Sequence, residues 1–244
     1  MKLNTKWIAH QSAKETIIFL HEGLGCIEMW KGYPEELCDK LGVNGLIYDR
    51  AGYGKSPGSL QDRTSDYLHL AAEELKDVID YFGIQSPILY GHSDGGSIAL
   101  IFAALYPDIP KMVITEAAHV FNEKETIAGV SAARPLMELG KMEGLKKYHG
   151  NRYQEVFYAW NDIWLDDSFK NWDITNLLPN INCPQLIIQG KDDPYGTLKQ
   201  IKAIAELTAG NSHLLAPESC GHAPHKEQTE QLLKEVLNFI HEYS

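Results

Sequence analysis

Six short apolar runs, rich in β-branched residues, recur along this chain, and most are separated by stretches with helical spacing. They are Thr16–Leu20, Gly45–Tyr48, Pro87–Tyr90, Met112–Thr115, Gln185–Gln189 and His213–Leu215. A strand with one wet face alternates apolar and polar residues. These runs barely alternate, so they predict strands covered on both faces. Between them, Tyr67–Tyr81 places Leu68, Ala71, Ala72, Leu75, Val78 and Ile79 at spacings of three and four. Gly96–Leu105, Thr197–Leu207 and Glu227–His241 behave similarly. The pattern predicts an α/β fold: a mostly parallel central sheet with helices on both faces. Thr5–His10 is one further strand candidate at the N-terminus.

Residues 122–178 break the rhythm. They contain no convincing strand and hold three of the five tryptophans, Trp160, Trp164 and Trp172. A structureless loop of that length is uncommon in a compact domain, so the segment is expected to be a helical insertion. The rest, residues 1–121 and 179–244, then forms one core domain, as the length of 244 residues allows.

Charge narrows the partners. With 22 Lys and Arg against 33 Asp and Glu, the net charge is −11. Such a chain repels phosphate backbones and anionic lipid, which argues against nucleic acid or a membrane as partner and leaves a small-molecule substrate open. The longest nearly apolar stretch, Ile98–Tyr106, is too short to span a bilayer. The first twenty residues lack the apolar run of a signal peptide, so a cytoplasmic location is expected. Cys26, Cys38, Cys183 and Cys220 fit neither a CxxC pair nor a zinc spacing and are expected to be reduced packing residues.

Three glycine patterns compete. Gly54-Lys55-Ser56 ends like a phosphate-binding loop, but Asp49 stands where that motif needs its first glycine. Gly52-Tyr53-Gly54 begins like a dinucleotide fingerprint, but Pro57 takes the third glycine position and no helix follows. The third pattern, G-x-S-x-G, occurs twice. Gly54–Gly58 leads into a polar loop, whereas Gly91-His92-Ser93-Asp94-Gly95 joins a strand directly to a helix. That context thrusts a serine out of a tight turn. A serine needs a base, and the base an orienting group, later in the chain and just past strands. Asp192 and Asp193 follow Gln185–Gln189; His222 and His225 follow His213–Leu215. Either member of each pair satisfies the spacing. His222 and His225 also make a bare H-x-x-H, but no HExxH or carboxylate cluster accompanies it, so no metal site is expected.

Together these residues resemble the α/β-hydrolase superfamily, in its serine-nucleophile branch, over nearly the whole chain. The resemblance implies that Ser93 is the nucleophile. The family's acid usually lies three residues after a strand-terminal glycine, which selects Asp193, and its histidine usually follows a glycine, which selects His222. Asp49-Arg50-Ala51-Gly52-Tyr53-Gly54-Lys55-Ser56 is similar to a structural loop of the family. The insertion corresponds to its helical cap over the site. The oxyanion donors implied are the backbone N–H groups of Gly23 and Asp94. Glu22, in His21-Glu22-Gly23-Leu24-Gly25, departs from the family's usual glycine.

The activity implied is that of a cofactor-independent serine hydrolase, with a small carboxylic ester cleaved through an acyl-enzyme as the favoured reaction. The expected pocket wall includes Leu24, His119, Trp160 and Trp164. The two tryptophans are four residues apart on one helix face, which suggests an apolar ceiling. One alternative is hydrolysis of a carbon–carbon bond on the same residues. An acidic dienol substrate would then need a pocket cation, with Arg134, Lys141, Lys146, Lys147 and Arg152 available in the insertion. The other is a small-molecule receptor with a slow triad.

Overall fold

In the computed structural model, which describes residues 2–11, 13–61 and 63–244, the apolar runs pair into one sheet. In chain order the elements are β1 (Thr5–Ile8), β2 (Thr16–Leu20), α1 (Tyr33–Leu41), β3 (Asn44–Tyr48), α2 (Tyr67–Phe82), β4 (Ile88–His92) and α3 (Asp94–Leu105). There follow β5 (Met112–Glu116), α4 (Lys124–Glu138), α5 (Lys146–His149), α6 (Tyr153–Leu165), β6 (Gln185–Ile188), α7 (Lys199–Leu207), β7 (Ser212–Leu215), α8 (Pro224–Glu227) and α9 (Thr229–Tyr243). The seven strands lie in the order β1-β3-β2-β4-β5-β6-β7. Only β1 is antiparallel, pairing Thr5 with Tyr48 and Ile8 with Gly45.

The near-continuous apolar character of the runs is explained by how each strand divides its side chains. Ile18, Leu20, Leu46, Leu89, Val113 and Ile187 join one buried cluster with α2, α3 and α7. Their neighbours Ile17, Phe19, Ile47, Ile88, Met112, Ile114 and Ile188 join a second, with Leu37 of α1 and Val236, Phe239 and Ile240 of α9. Side chains alternate across a strand, so two dry faces favour apolar residues at successive positions rather than at every second one. All four cysteines are buried and free.

Several boundaries differ from expectation. Helix α3 begins at Asp94 rather than Gly96, directly after the turn at Ser93. The C-terminal helical pattern is split into α8 and α9. Helix α1, with Pro34 in its first turn and Gly42 closing it, carries too few periodic apolar residues to announce itself.

Strand β2 is flanked by β3 on one side and β4 on the other. The chain therefore leaves β2 in one direction and later returns on its opposite side. Such a switch opens a crevice beyond the carboxyl ends of the two central strands. Here those ends carry the 21–25 loop and Ser93. Above them lies the segment between β5 and β6, whose neck is closed where Asn122 N donates to Trp172 O (3.0 Å) and Ile174 N to Val120 O (2.8 Å). It docks through His149, whose Nδ1 accepts from Gly54 N (3.0 Å) and whose Nε2 donates to Leu24 O (2.9 Å). Arg152 adds bonds to Gly54 O and Ser56 O. Among the described residues no helix is long and apolar enough to cross a membrane.

Candidate active site

Ser93 sits between β4 and α3 with φ 54° and ψ −118°, a left-handed-side conformation that costs a non-glycine residue about 1–3 kcal/mol. Two glycines make the turn possible. A Cβ on Gly91 would lie 2.2 Å from Gly95 O, and one on Gly95 would lie 2.0 Å from Leu20 O. Ser93 N donates to Glu116 O (2.7 Å), which fixes the turn to β5.

His222 brings its Nε2 to 3.0 Å from Ser93 Oγ. Its Nδ1 lies 2.9 and 2.8 Å from the two carboxylate oxygens of Asp193. With Nδ1–H donating to Asp193, Nε2 is left to accept the serine proton. The Asp193 side chain is fully enclosed, whereas that of His222 keeps 21% exposure. Gln189 Nε2 and Tyr195 N donate to the same carboxylate, at 2.6 and 2.8 Å. Burial pushes the His222 pKa down, but the charge and hydrogen bond of Asp193 outweigh it and leave the ring above its usual value. Burial likewise works against the Asp193 carboxylate, yet His222 and the Tyr195 amide leave its pKa lowered.

The competing candidates lie elsewhere. Asp192 is exposed. His225 is buried and pairs through Nδ1 with Glu116 Oε2 (3.0 Å). Ser56 is fully buried and donates to Asp49 O (2.5 Å), while Asp49 accepts from Asn4, Ile27 and Lys55. That loop is held as architecture.

The 21–25 loop lies against the elbow: a Cβ on Gly23 would sit 3.2 Å from Asp94 Oδ2. Gly23 N–H donates to no other group among the described residues. Asp94, first in its helix, has no intrahelical acceptor for its N–H. Glu22 turns its carboxylate back on the loop, with Oε2 accepting from Leu24 N (2.7 Å). The Glu22 carbonyl is clamped by His21 Nδ1 (2.8 Å) and by Arg50 Nη2 (2.9 Å). Sequence reasoning missed Arg50 and also His92, whose Nε2 donates to His222 O (2.7 Å). Their positions, inside the D-x-x-G-x-G-x-S loop and inside the elbow, were the available signals.

A cavity of about 200 Å³ opens over Ser93, and Leu24, His119, Trp160 and Trp164 line it with Glu22, Asp94, Thr126, Val130, Tyr195, His222 and Lys226. His119 Nε2 donates to Tyr195 O (2.9 Å), and burial lowers its pKa, which favours the neutral ring. Arg134, Lys141, Lys146, Lys147 and Arg152 do not line the cavity; Lys226, exposed, does. Cys26, Glu28 and Asp49 lie close enough to hold an ion. Asp49 already serves three donors, however, and burial pushes the Cys26 thiol up to about 12, so the thiolate a metal needs is disfavoured.

The alpha/beta hydrolase fold model matches residues 15–141. A human serine hydrolase, BPHL, is 31% identical over 80% of this chain and 68% of its own. A proline iminopeptidase of Saccharolobus solfataricus is 28% identical over 94% of this chain and 86% of its own. The structure of an esterase from Exiguobacterium antarcticum superposes with a TM-score of 0.78 at 20% identity, covering 98% of this chain and 95% of that one. The chain belongs to the alpha/beta hydrolase fold family and is a hydrolase.

Proposed function

We propose that the protein is a cofactor-independent serine hydrolase that cleaves a small carboxylic ester, or a related acyl bond, through an acyl-enzyme. The observation that carries this is the unbroken hydrogen-bonded chain from Ser93 Oγ through His222 to Asp193. Ser93 attacks the carbonyl carbon while its proton passes to His222 Nε2, and Asp193 stabilises the imidazolium that forms. Gly23 and Asp94 N–H groups receive the oxyanion, each worth about 3–4 kcal/mol in the transition state. The amino end of α3 favours the same charge. His222 then protonates the leaving group, and deprotonates the water that releases the acid.

Residues 122–178 act as a cap in this scheme, with α4 and α6 roofing the cavity and His149 and Arg152 anchoring the docked edge. An ester is favoured over a dienol acid because the five basic residues of the cap are absent from the lining, and the cation that does line it, Lys226, is exposed. Labelling with a fluorophosphonate and mapping the modified peptide tests the mechanism. Modification at Ser93 is expected; a folded protein that labels elsewhere, or not at all, defeats the proposal.

A further inference from the structure

Arg50 is a buried charge whose short bonds go to neutral acceptors. The residue is 3% exposed. Its Nη2 donates to Glu22 O (2.9 Å), while its backbone N–H donates to His21 Nε2 (3.1 Å), with Nε 3.4 Å from the same atom. Among the described residues the one carboxylate near its guanidinium is Asp94, with Oδ2 3.8 Å from Nη1. The Tyr53 ring, 4.6 Å away, offsets part of the cost of burying the charge. Burying a guanidinium without a close carboxylate gains little stability, so the fold alone does not call for one here.

The bonds converge on a single oxygen. Because His21 Nε2 accepts, the ring proton sits on Nδ1, which donates to Glu22 O (2.8 Å). Burial and the Arg50 charge push the His21 pKa down, which favours that neutral ring. Gly25 N donates to the same oxygen (3.0 Å). Glu22 O thus takes three donors, one more than its two lone pairs. That oxygen belongs to the peptide unit that carries the Gly23 N–H. In a planar trans peptide the C=O and N–H point in opposite directions, so fixing the oxygen on Arg50 and His21 turns the N–H away from both. Arg50 and His21 stand outside the lining of the cavity over Ser93, whereas Glu22, Ser93 and Asp94 are on it. Donors on the carbonyl also polarise the peptide, which makes its N–H a stronger donor.

We infer that Arg50 is a positioning residue for the oxyanion hole: through the Glu22–Gly23 peptide it aims the Gly23 N–H at the developing negative charge. This rests on the hydrolase mechanism proposed above. The guanidinium reaches both walls of the hole. Nη2 holds the 21–25 loop, and Nη1 faces the side chain of Asp94, whose backbone N–H is the other proposed donor. Tyr67 O–H holds the same Asp94 oxygen from α2 (3.0 Å). One side chain therefore spans two donors that lie seventy residues apart in the chain. Elsewhere the loop is tied through Leu24, whose N donates to Glu22 Oε2 and whose O accepts from His149 Nε2. Neither of those bonds fixes the Glu22–Gly23 peptide.

The test compares wild type, Arg50→Met and Arg50→Lys on 4-nitrophenyl propanoate, with competent sites counted by exhaustive fluorophosphonate labelling. Removing one oxyanion donor costs about 10²–10³ in kcat, and a tilted donor keeps part of that. Arg50→Met should therefore lower kcat per labelled site by about 30-fold or more and leave KM within about threefold. Arg50→Lys keeps a charged donor and should lose about fivefold less. An arginine that only stabilised the fold would lower the number of competent sites instead, so kcat per site within about threefold in both variants overturns the proposal.

The Gly23 amide gives a second readout. Ethylboronic acid bonds Ser93 Oγ to its boron, passes the serine proton to His222 and leaves a B–OH oxygen in the hole. In wild type this adduct should move the Gly23 and Asp94 amide protons downfield in the NMR spectrum. In Arg50→Lys the Gly23 shift should shrink while the Asp94 shift persists; equal Gly23 shifts overturn the proposal. If neither variant folds, wild type decides: the Arg50 guanidinium protons should move together with the Gly23 amide, since both belong to one hydrogen-bonded peptide unit. A guanidinium that stays unmoved by the adduct overturns the proposal. Full turnover with Ser93 labelled in both variants leaves the hydrolase mechanism standing while the role of Arg50 falls. No label and no boronate adduct at Ser93 of the wild type removes both.

Discussion

Two histidines three residues apart, His222 and His225, each hold a carboxylate through Nδ1, at 2.8 Å from Asp193 and 3.0 Å from Glu116. By pairing alone they are indistinguishable. Their surroundings are not. The His222 side chain keeps 21% exposure and turns its second nitrogen to Ser93 Oγ, while that of His225 keeps 2% and packs against the rings of Trp30, Tyr33 and His92. Glu116 also accepts from His225 N and Tyr90 O–H, and Tyr33 and Tyr90 continue the network inside the core. A histidine–carboxylate pair is thus a common structural unit. It becomes a candidate catalytic one only where the free nitrogen meets a nucleophile and a cavity.

The largest test of the contrast removes each side in turn. Ser93→Ala and His222→Ala should each lower kcat by about 10⁴-fold or more, and the double variant should lose little further, because the groups act as a unit. Ser56→Ala should keep its activity and lose about 1 kcal/mol of stability with its bond to Asp49 O. A Ser56→Ala protein that loses turnover while folded would reverse the assignment of the two G-x-S-x-G sequences. Asp193→Asn comes next. The neutral amide no longer stabilises the imidazolium or specifies the tautomer, at a cost of about 10⁴ in kcat, whereas Asp192→Asn should stay within about twofold.

His225→Ala addresses the other pair and should fail differently. It strands the Glu116 carboxylate inside the core, and breaking a buried pair in this way costs about 3–5 kcal/mol. Urea denaturation should register that loss, while kcat/KM of the remaining folded protein falls by less than about tenfold. Equal loss of turnover in His225→Ala and His222→Ala at matched stability would erase the distinction drawn between them.

What the sequence disclosed follows the same division. The strands were legible because two dry faces leave long apolar runs, and the elbow was legible because a strained turn demands glycine on both sides of Ser93. Helix α1 was not, since its burial falls on Tyr33, Pro34, Leu37 and Cys38, two pairs with no longer periodicity to read. The choice between Asp192 and Asp193, or His222 and His225, is a matter of which way a side chain faces after a strand ends. Spacing constrains that weakly, and only the resemblance separated them. The polar atoms of Asp94 and Thr126 on the cavity wall had no signature at all. Asp94 looked like a turn residue after the nucleophile, useful for its N–H, and Thr126 like one more member of an insertion with unknown facing.

The smallest expected effect is the pH dependence, and it separates the two halves of the His222–Asp193 interaction. Burial alone would lower the His222 pKa; Asp193 reverses that, with Glu22 and Asp94 adding their charge, so the folded value lies above the ordinary 6.5. A base must be neutral, so kcat/KM should fall on the acid side of a limb placed above 6.5, by about tenfold per pH unit well below it. Stability runs the other way. A raised histidine pKa contributes stabilisation that is complete below the unfolded value and lost as pH rises through the folded one. The pair therefore stabilises the fold most between the lowered Asp193 value and the raised His222 value, on the acid side of the activity limb. Following the His222 ring by NMR in Asp193→Asn should show its titration dropping below the wild-type value, because burial remains and the countercharge is gone. An unchanged titration would mean that Asp193 does not set the protonation of His222, and its contact would then be no more than the structural pairing seen at His225.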